Sequence, residues 1–398
     1  MSEFEGTDFY ALEELLSTDD REYRNRVREW VSVRILPIVA EHFRNGTFPH
    51  DLIPEMSELG AFGGTIEGYG CPGFSNLRYG LLMQELERGD SGLRTFASVQ
   101  GSLAMYAIYL FGSEEQKRQW LPAMAKGEKL GAFGLTEPDH GSNPGGLETE
   151  ARKTNGGYVL NGVKTWIGNG SLADLAIIWA RLVGVPRIDS STPKAIRGFL
   201  VKKGTPGVSA EDIQGKLSLR MSVTSKLSFD NCELPEDALL SKTDGLKSPL
   251  TCLNQARDGI AWGAVGAAMA CYEEARSFSA ERIQFGKPIG SFQLVQQKLA
   301  IMLTELTKAQ LMVYRLAQLK DSGRARHYHT SMAKMNNVAT ALDIARTARD
   351  ILGAVGILDE RQSFRHMCNL ESVKTYEGTH DIHQLILGKH ITGIGAFQ

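Results

Sequence analysis

At 398 residues, 42% hydrophobic and 23% charged, the chain has globular composition and length for two or three domains. A formal net charge of −2 excludes a global field that would recruit nucleic acid or an anionic membrane surface. No apolar run reaches membrane-spanning length, and five cysteines without a CxxC spacing indicate neither a disulfide framework nor a metal site.

The cysteines at positions 71, 232, 252, 271 and 368 are expected to be buried free thiols in a reducing compartment. Residues 1–16 are acidic and resemble neither a signal nor a transit peptide. A start at Met1 points to a bacterial cytoplasm; the alternative is a processed protein of the mitochondrial matrix.

Residues 1–131 read as a helical domain. Val27, Trp30, Val31 and Ile35 form a core-facing stripe over residues 23–40, which Pro37 ends or kinks. Residues 52–59, 77–86 and 101–110 give further helices, residues 60–74 a Gly-rich loop, and Ser113 to Gln116 a helix start. Between two of these helices, Arg94 sits in a stretch otherwise poor in charge, flanked by Leu93 and Phe96-Ala97. Two readings stand: a structural ion pair, or a fixed cation for a carboxylate, which the planar guanidinium suits.

Residues 132–240 change character. Tyr158 to Leu160 and Val163 to Ile167 flank Asn161-Gly162 and read as a hairpin with an Asn-Gly turn. Residues 175–182, 198–202 and 226–230 are further strands, so a small β-barrel or sandwich is expected. Its leading segment, from Phe133 through Leu135-Thr136 to Gly141-Ser142, is a Gly/Pro loop that lets backbone approach a ligand.

Residues 241–398 return to helix. Phe292, Val295, Leu299, Met302, Leu306, Ala309, Val313 and Leu316 alternate by three and four, a stripe read as pure bundle core. Near the end, Tyr376-Glu377-Gly378-Thr379 precedes apolar positions Ile382, Leu385, Ile386 and Ile391 at roughly helical spacing. Glu377 therefore lies just outside a helix N-terminus, either as a solvated loop acid or as a general base aimed into a cavity.

Tyr376 to His383, with residues 385–393 behind it, resembles the C-terminal signature of the acyl-CoA dehydrogenases, nearest the glutaryl-CoA dehydrogenase branch. The resemblance runs from about residue 20 to the end. It implies an α+β fold: an N-terminal helical domain (1–131), a middle β-barrel domain (132–240) and a C-terminal four-helix bundle (241–398). It implies FAD as cofactor, with Glu377 removing the α-proton of an acyl-CoA. It makes Arg94 the partner of a distal substrate carboxylate, with Glu87, Thr95, Ser142, Tyr376 and Gly378 nearby. Leu250, Leu253, Asn254 and Arg257 resemble the segment beside the acyl and pantetheine chain. Phe133, Leu135, Thr136, Gly141 and Ser142 resemble the first flavin loop, and Trp166, Ile167 and Gly168 the second, where Gly168 replaces the usual hydroxyl residue. Arg282, Phe285 and Gln293 match residues that reach a neighbouring subunit's FAD. Asp350, Leu352, Gly353 and Ala354 resemble the glycine-rich turn over the cofactor, with Thr379 also near it; Ala354 and Val355 depart from the usual Gly and Asn.

The resemblance further implies oxidation and decarboxylation of glutaryl-CoA to crotonyl-CoA by a homotetramer, with electron-transferring flavoprotein as acceptor. A short-chain monocarboxylic acyl-CoA dehydrogenase or oxidase is the alternative, since the loop at residues 68–73 and Trp166 to Asn169 also resemble short-chain oxidases. A flavin-poor scaffold protein is a third reading, disfavoured by Glu377, Arg94 and Arg282 standing together in one chain.

Overall fold

The computed structural model describes residue 4 and residues 6–185 and 188–397; Met1, Ser2, Glu3, Glu5, Pro186, Arg187 and Gln398 lie outside the described residues. The N-terminal helices run Thr18–Trp30 (α1), Val39–Asn45 (α2), Ile53–Glu58 (α3), Asn76–Gly89 (α4), Ser91–Ser98 (α5), Tyr106–Phe111 (α6) and Glu114–Ala125 (α7). Their starts follow the local chemistry. Ser17, Ser75 and Asp90 each accept a backbone N–H of the first turn, and Ser113 and Gln116 form a reciprocal capping box. The chain breaks helical geometry around Pro37, as its sequence requires.

Seven strands follow: Gly131–Gly134 (β1), Glu150–Lys153 (β2), Gly157–Gly168 (β3), Leu175–Val183 (β4), Ile196–Lys202 (β5), Val208–Asp212 (β6) and Thr224–Pro235 (β7). They form one sheet in the order β1-β4-β2-β3-β7-β6, with β5 on β4. Strand β4 is buried on both faces. Leu175, Ile177 and Trp179 join the large helical core, while Ala176, Ile178, Ala180 and Leu182 join a second core inside the β domain. That second core also takes Phe199 and Val201 from β5 and Leu227 and Phe229 from β7, so the sheet wraps around its own interior as a barrel does.

The expected Asn-Gly hairpin is not present. Residues 157–168 are one strand, and Asn161-Gly162 is a bulge in it: the pairing with β7 shifts between Leu160 and Gly162. Gly162 has φ +144°, and a Cβ there would lie 2.5 Å from Thr149 Oγ1. Both flanks already have partners in β2 and β7, so the chain absorbs the glycine as a kink rather than reversing.

The C-terminal region comprises Lys247–Glu281 (α8), a two-strand hairpin Ile283–Gln284 (β8) and Lys287–Pro288 (β9), then Gln293–Asp321 (α9), His327–Ile351 (α10), Gln362–Thr375 (α11) and His380–Thr392 (α12). Four long helices form the bundle and α12 closes it. No helix among the described residues is long and apolar enough to cross a membrane. Met302, Leu306, Ala309, Val313 and Leu316 are core, as their spacing indicates. The first turns of that stripe are not: Phe292, Val295 and Leu299 are half-buried, and Leu294 between them is 73% exposed. Helix α12 likewise turns His383 and Leu387 inward and leaves Leu385 and Ile391 exposed, correcting the apolar face expected from spacing. All five cysteines are free, but Cys71 and Cys368 are half-buried rather than buried.

Helix α8 lies against α4 along a row of glycines. A Cβ at Gly266 would sit 1.9 Å from Gln84 O, and one at Gly263 would sit 2.0 Å from Glu87 Oε2. The backbone of α4 occupies that space, so Gly266→Ala is expected to cost about 1–3 kcal/mol by overpacking, read as a lowered denaturation midpoint. An unchanged midpoint would mean that the two helices separate at little cost.

Candidate active site

The site assembles where α4, α5, α8, α10 and the turn before α12 meet. Thr379 caps α12 by accepting the Ile382 N–H at 3.2 Å, and Glu377 stands two residues outside that cap. Glu377 has φ +52° and Gly378 φ +94°, two successive left-handed residues. For a glutamate this conformation costs about 1–3 kcal/mol, and it persists only where the surroundings hold it. Here they do. Lys334 Nζ donates to the carbonyls of Tyr376 at 2.8 Å and Gly378 at 2.6 Å, and Arg257 Nε donates to the carbonyl of Glu377 at 2.7 Å. With all three carbonyls held by cations, Glu377 is fixed through its backbone on both sides. Its Oε2 is inaccessible and has no hydrogen-bond partner among the described residues.

That carboxyl group titrates above the ordinary carboxylate range because burial disfavours its charge, although Arg94, Arg257 and Lys334 pull the other way. A base must be deprotonated, so kcat/KM is expected to fall as pH drops through this raised value, at a pH above that of an exposed glutamate. A plot of log kcat/KM against pH checks it; an acid limb at the ordinary carboxylate value would place the group in water.

Arg94 is fully buried on α5. Its Nε donates to Glu87 Oε2 at 2.7 Å, its Nη2 donates to the Tyr376 hydroxyl, and its Nη1 has no partner. Two nitrogens of the guanidinium are thus engaged within the protein, and one is unspent. Gly263 leaves the space that Glu87 occupies, and Ser91 Oγ donates to the other Glu87 oxygen at 2.7 Å. Thr95 Oγ1 lies 3.4 Å from the Tyr376 hydroxyl. Three cations, Arg94, Arg257 and Lys334, bear on Glu377, and among the described residues Glu87 is the one other carboxylate bonded into this cluster. The group therefore carries surplus positive charge that an anionic ligand would balance.

Glu87, Arg94, Thr95, Arg257, Tyr376, Glu377 and Gly378 are joined in this way. Leu250, Leu253 and Asn254 precede Arg257 by seven, four and three residues, one face of α8. Asn254 Oδ1 is buried without a partner on that face.

The two loops read as flavin segments also meet, through the Thr165 N–H to Thr136 O bond at 2.9 Å. A second bulge in β3, between Lys164 and Ile167, puts Trp166 in the left-handed region at φ +60° and leaves it 61% exposed. A large aromatic held in strain at a surface, beside an open loop, fits a flat ring cofactor. Gly168 leaves room that Val99 partly fills, a Cβ there lying 3.0 Å from Val99 Cγ2. Phe133, Leu135, Ile167 and Leu352 are buried in the core. Gly141 and Ser142 are exposed, and Gly141 and Gly353 open onto free space.

Arg282, Phe285, Gln293, Asp350, Gly353 and Ala354 stand apart from the Glu377 cluster. No hydrogen bond joins them to it among the described residues. They belong to one end of the bundle, where Lys298 of α9 pairs with Asp350. Phe285 and Gly286 form a turn with φ +52° and +76°, and Phe285 is 92% exposed.

Sequence reasoning missed Lys334, which nothing in its neighbourhood distinguishes from a solvated helix lysine, and the buried His383 inside the motif itself.

Family models described as acyl-CoA dehydrogenase N-terminal, middle and C-terminal domains match residues 17–128, 132–232 and 243–392. An acyl-CoA dehydrogenase of Bacillus subtilis is 37% identical over 93% of this chain and 97% of its own. The chain belongs to the acyl-CoA dehydrogenase family. It is an FAD-dependent oxidoreductase acting on an acyl-CoA thioester. The human mitochondrial short-chain specific acyl-CoA dehydrogenase is 34% identical over 92% of this chain and 88% of its own. A crystal structure of glutaryl-CoA dehydrogenase from Mycobacterium smegmatis is 49% identical, with TM-score 0.95, covering 99% of this chain and 100% of that one. A second, in complex with FADH2, is 47% identical with TM-score 0.95, covering 98% and 99%. A chain from a structure described as the electron transferring flavoprotein of Acidaminococcus fermentans is 32% identical with TM-score 0.89, covering 95% and 98%.

Proposed function

We propose that this acyl-CoA dehydrogenase oxidises glutaryl-CoA and decarboxylates the product to crotonyl-CoA and CO2. The observation that carries the reading is Arg94: a fully buried guanidinium with an unpartnered Nη1, tied through Tyr376 to the Glu377 turn. A five-carbon dicarboxylic thioester has its free carboxylate at the far end from the thioester. Glu377 addressing the α-carbon and Arg94 holding that carboxylate would fix both ends of the same short chain.

Glu377 takes the α-proton; burial raises its affinity for a proton, and three nearby cations limit that rise. FAD, when bound, accepts the hydride that leaves the β-carbon. Trp166, Thr136 and the main chain of Leu135 and Gly168 are the residues proposed to hold its ring system. The Glu377 N–H donates to no acceptor among the described residues, which leaves it for the thioester oxygen as charge develops there. Holding both reacting groups against one fixed chain is proximity catalysis. The unsaturated product keeps its carboxylate beside Arg94 and Tyr376. Loss of CO2 leaves its electron pair as a dienolate, and protonation yields crotonyl-CoA.

The curated relatives of short-chain type favour a second reading, a monocarboxylic acyl-CoA as substrate. The two separate on specificity: the first requires glutaryl-CoA to be turned over much faster than butyryl-CoA, and equal or reversed rates would favour the second. An electron-transferring flavoprotein is the proposed acceptor.

A homotetramer is proposed as well. Phe285, Leu294 and Ile301 are exposed apolar residues at the end of the bundle that carries Arg282 and Gln293. The expected result from light scattering on FAD-loaded protein is a tetramer, and an active FAD-loaded monomer would overturn it.

A further inference from the structure

Lys334 comes from the N-terminal third of α10, and only 1% of it is exposed. Burying an ammonium is costly, and ion pairs normally offset that cost. Lys334 has none among the described residues: its two acceptors are main-chain carbonyls, those of Tyr376 and Gly378. These are the residues on either side of Glu377. We infer that Lys334 is a positioning residue for proton abstraction, clamping the two flanking carbonyls so that the left-handed turn presents the Glu377 carboxyl group to the substrate. This rests on Glu377 being the base.

Three observations support the inference. Glu377 at φ +52° followed by Gly378 at +94° is a turn that a free chain rarely adopts, and a single donor group bridging residues 376 and 378 closes it like a staple. Arg257 reaches the carbonyl between them, so no carbonyl of the turn is left to compete for the space in front of the carboxylate. Finally, Lys334 is not needed as counter-charge for any acid on its own helix.

The titratable groups around the turn are Arg94 from α5, Arg257 from α8 and Lys334 from α10, with Glu87 from α4 behind Arg94 and His383 from α12, which burial keeps neutral, behind Gly378. Burial pushes the Lys334 ammonium down to about 7, while Glu377 opposes that shift. The cation and the base are therefore coupled: removing Lys334 also removes one of three charges that favour the ionised base.

The test uses FAD-loaded Lys334→Met, which fills the space without donors. Its kcat is expected to fall about a hundredfold from misplacement of the base. The Kd for a non-reacting thioether analogue of the substrate should stay near wild type, and the acid limb of the pH profile should move to higher pH. Lys334→Gln, which keeps an N–H donor without the charge, should recover part of kcat but not the position of the acid limb. A wild-type kcat with an unmoved acid limb would overturn the inference, as would equal loss of kcat and analogue affinity. Failure of both variants to load FAD would also count against it, because a clamp on one turn should leave the rest of the fold intact. Glu377→Gln run alongside separates the two ideas: flavin reduction by that variant removes the base reading itself, whatever Lys334 does.

Discussion

Glu377→Gln should retain FAD and fold yet lose substrate-driven flavin reduction by about 10⁴-fold, the upper end of what a positioned base contributes. An amide cannot accept the α-proton, and the other carboxylate of the cluster, Glu87, is already engaged by Arg94 and Ser91. The substitution is nearly isosteric, and Oε2 makes no hydrogen bond that would be lost. The neighbouring cations each keep another partner: Arg94 has Glu87, Arg257 has the carbonyl of residue 377, and Lys334 has the carbonyls of residues 376 and 378. Stability should therefore change little while chemistry stops. Stopped-flow absorbance of the flavin with excess substrate measures it, and near wild-type reduction in the variant would remove Glu377 from the role of base.

Arg94→Met is expected to lower kcat/KM for glutaryl-CoA by roughly two to four orders of magnitude. Leaving a substrate carboxylate buried without its partner costs on the order of 3–5 kcal/mol, and about 1.4 kcal/mol corresponds to tenfold. The structure adds a complication. Arg94 also neutralises Glu87, which is itself fully buried. A lowered melting temperature is thus expected whether or not Arg94 meets substrate, and stability alone decides nothing. The deciding quantity is the ratio of kcat/KM for glutaryl-CoA to that for butyryl-CoA, which has no distal carboxylate. Glu87→Gln combined with Arg94→Met removes the stranded charge and should restore much of the stability without restoring the ratio. Equal losses for both substrates would assign Arg94 a purely structural role.

The helical ends of the molecule, most strands and the Glu377 turn were legible because local signals carry them: the helix start at Ser113, the apolar run of β4 between turn residues, and a capping Thr379 before an apolar run. The Asn161-Gly162 hairpin failed for the opposite reason. Whether Asn-Gly turns or merely kinks depends on partners in β2 and β7, which are distant in sequence. The face of α12 was misassigned because His383, a polar residue, is the one the turn needs inside. Lys334 was invisible, since its acceptors are carbonyls some forty residues away, brought to it only by the packing of α10 on α12. The exposed start of α9 failed as core for a similar reason: apolar spacing marks a face but does not say which element packs on it.

Glutaryl-CoA as substrate is tested most directly by product analysis. FAD-loaded protein is supplied separately with glutaryl-CoA and with butyryl-CoA, each with an artificial electron acceptor, and acyl-CoA products and CO2 are measured together. The predicted result is crotonyl-CoA and CO2 in equal amounts from glutaryl-CoA, formed much faster than crotonyl-CoA from butyryl-CoA. Rapid oxidation of butyryl-CoA with little or no reaction of glutaryl-CoA would contradict it.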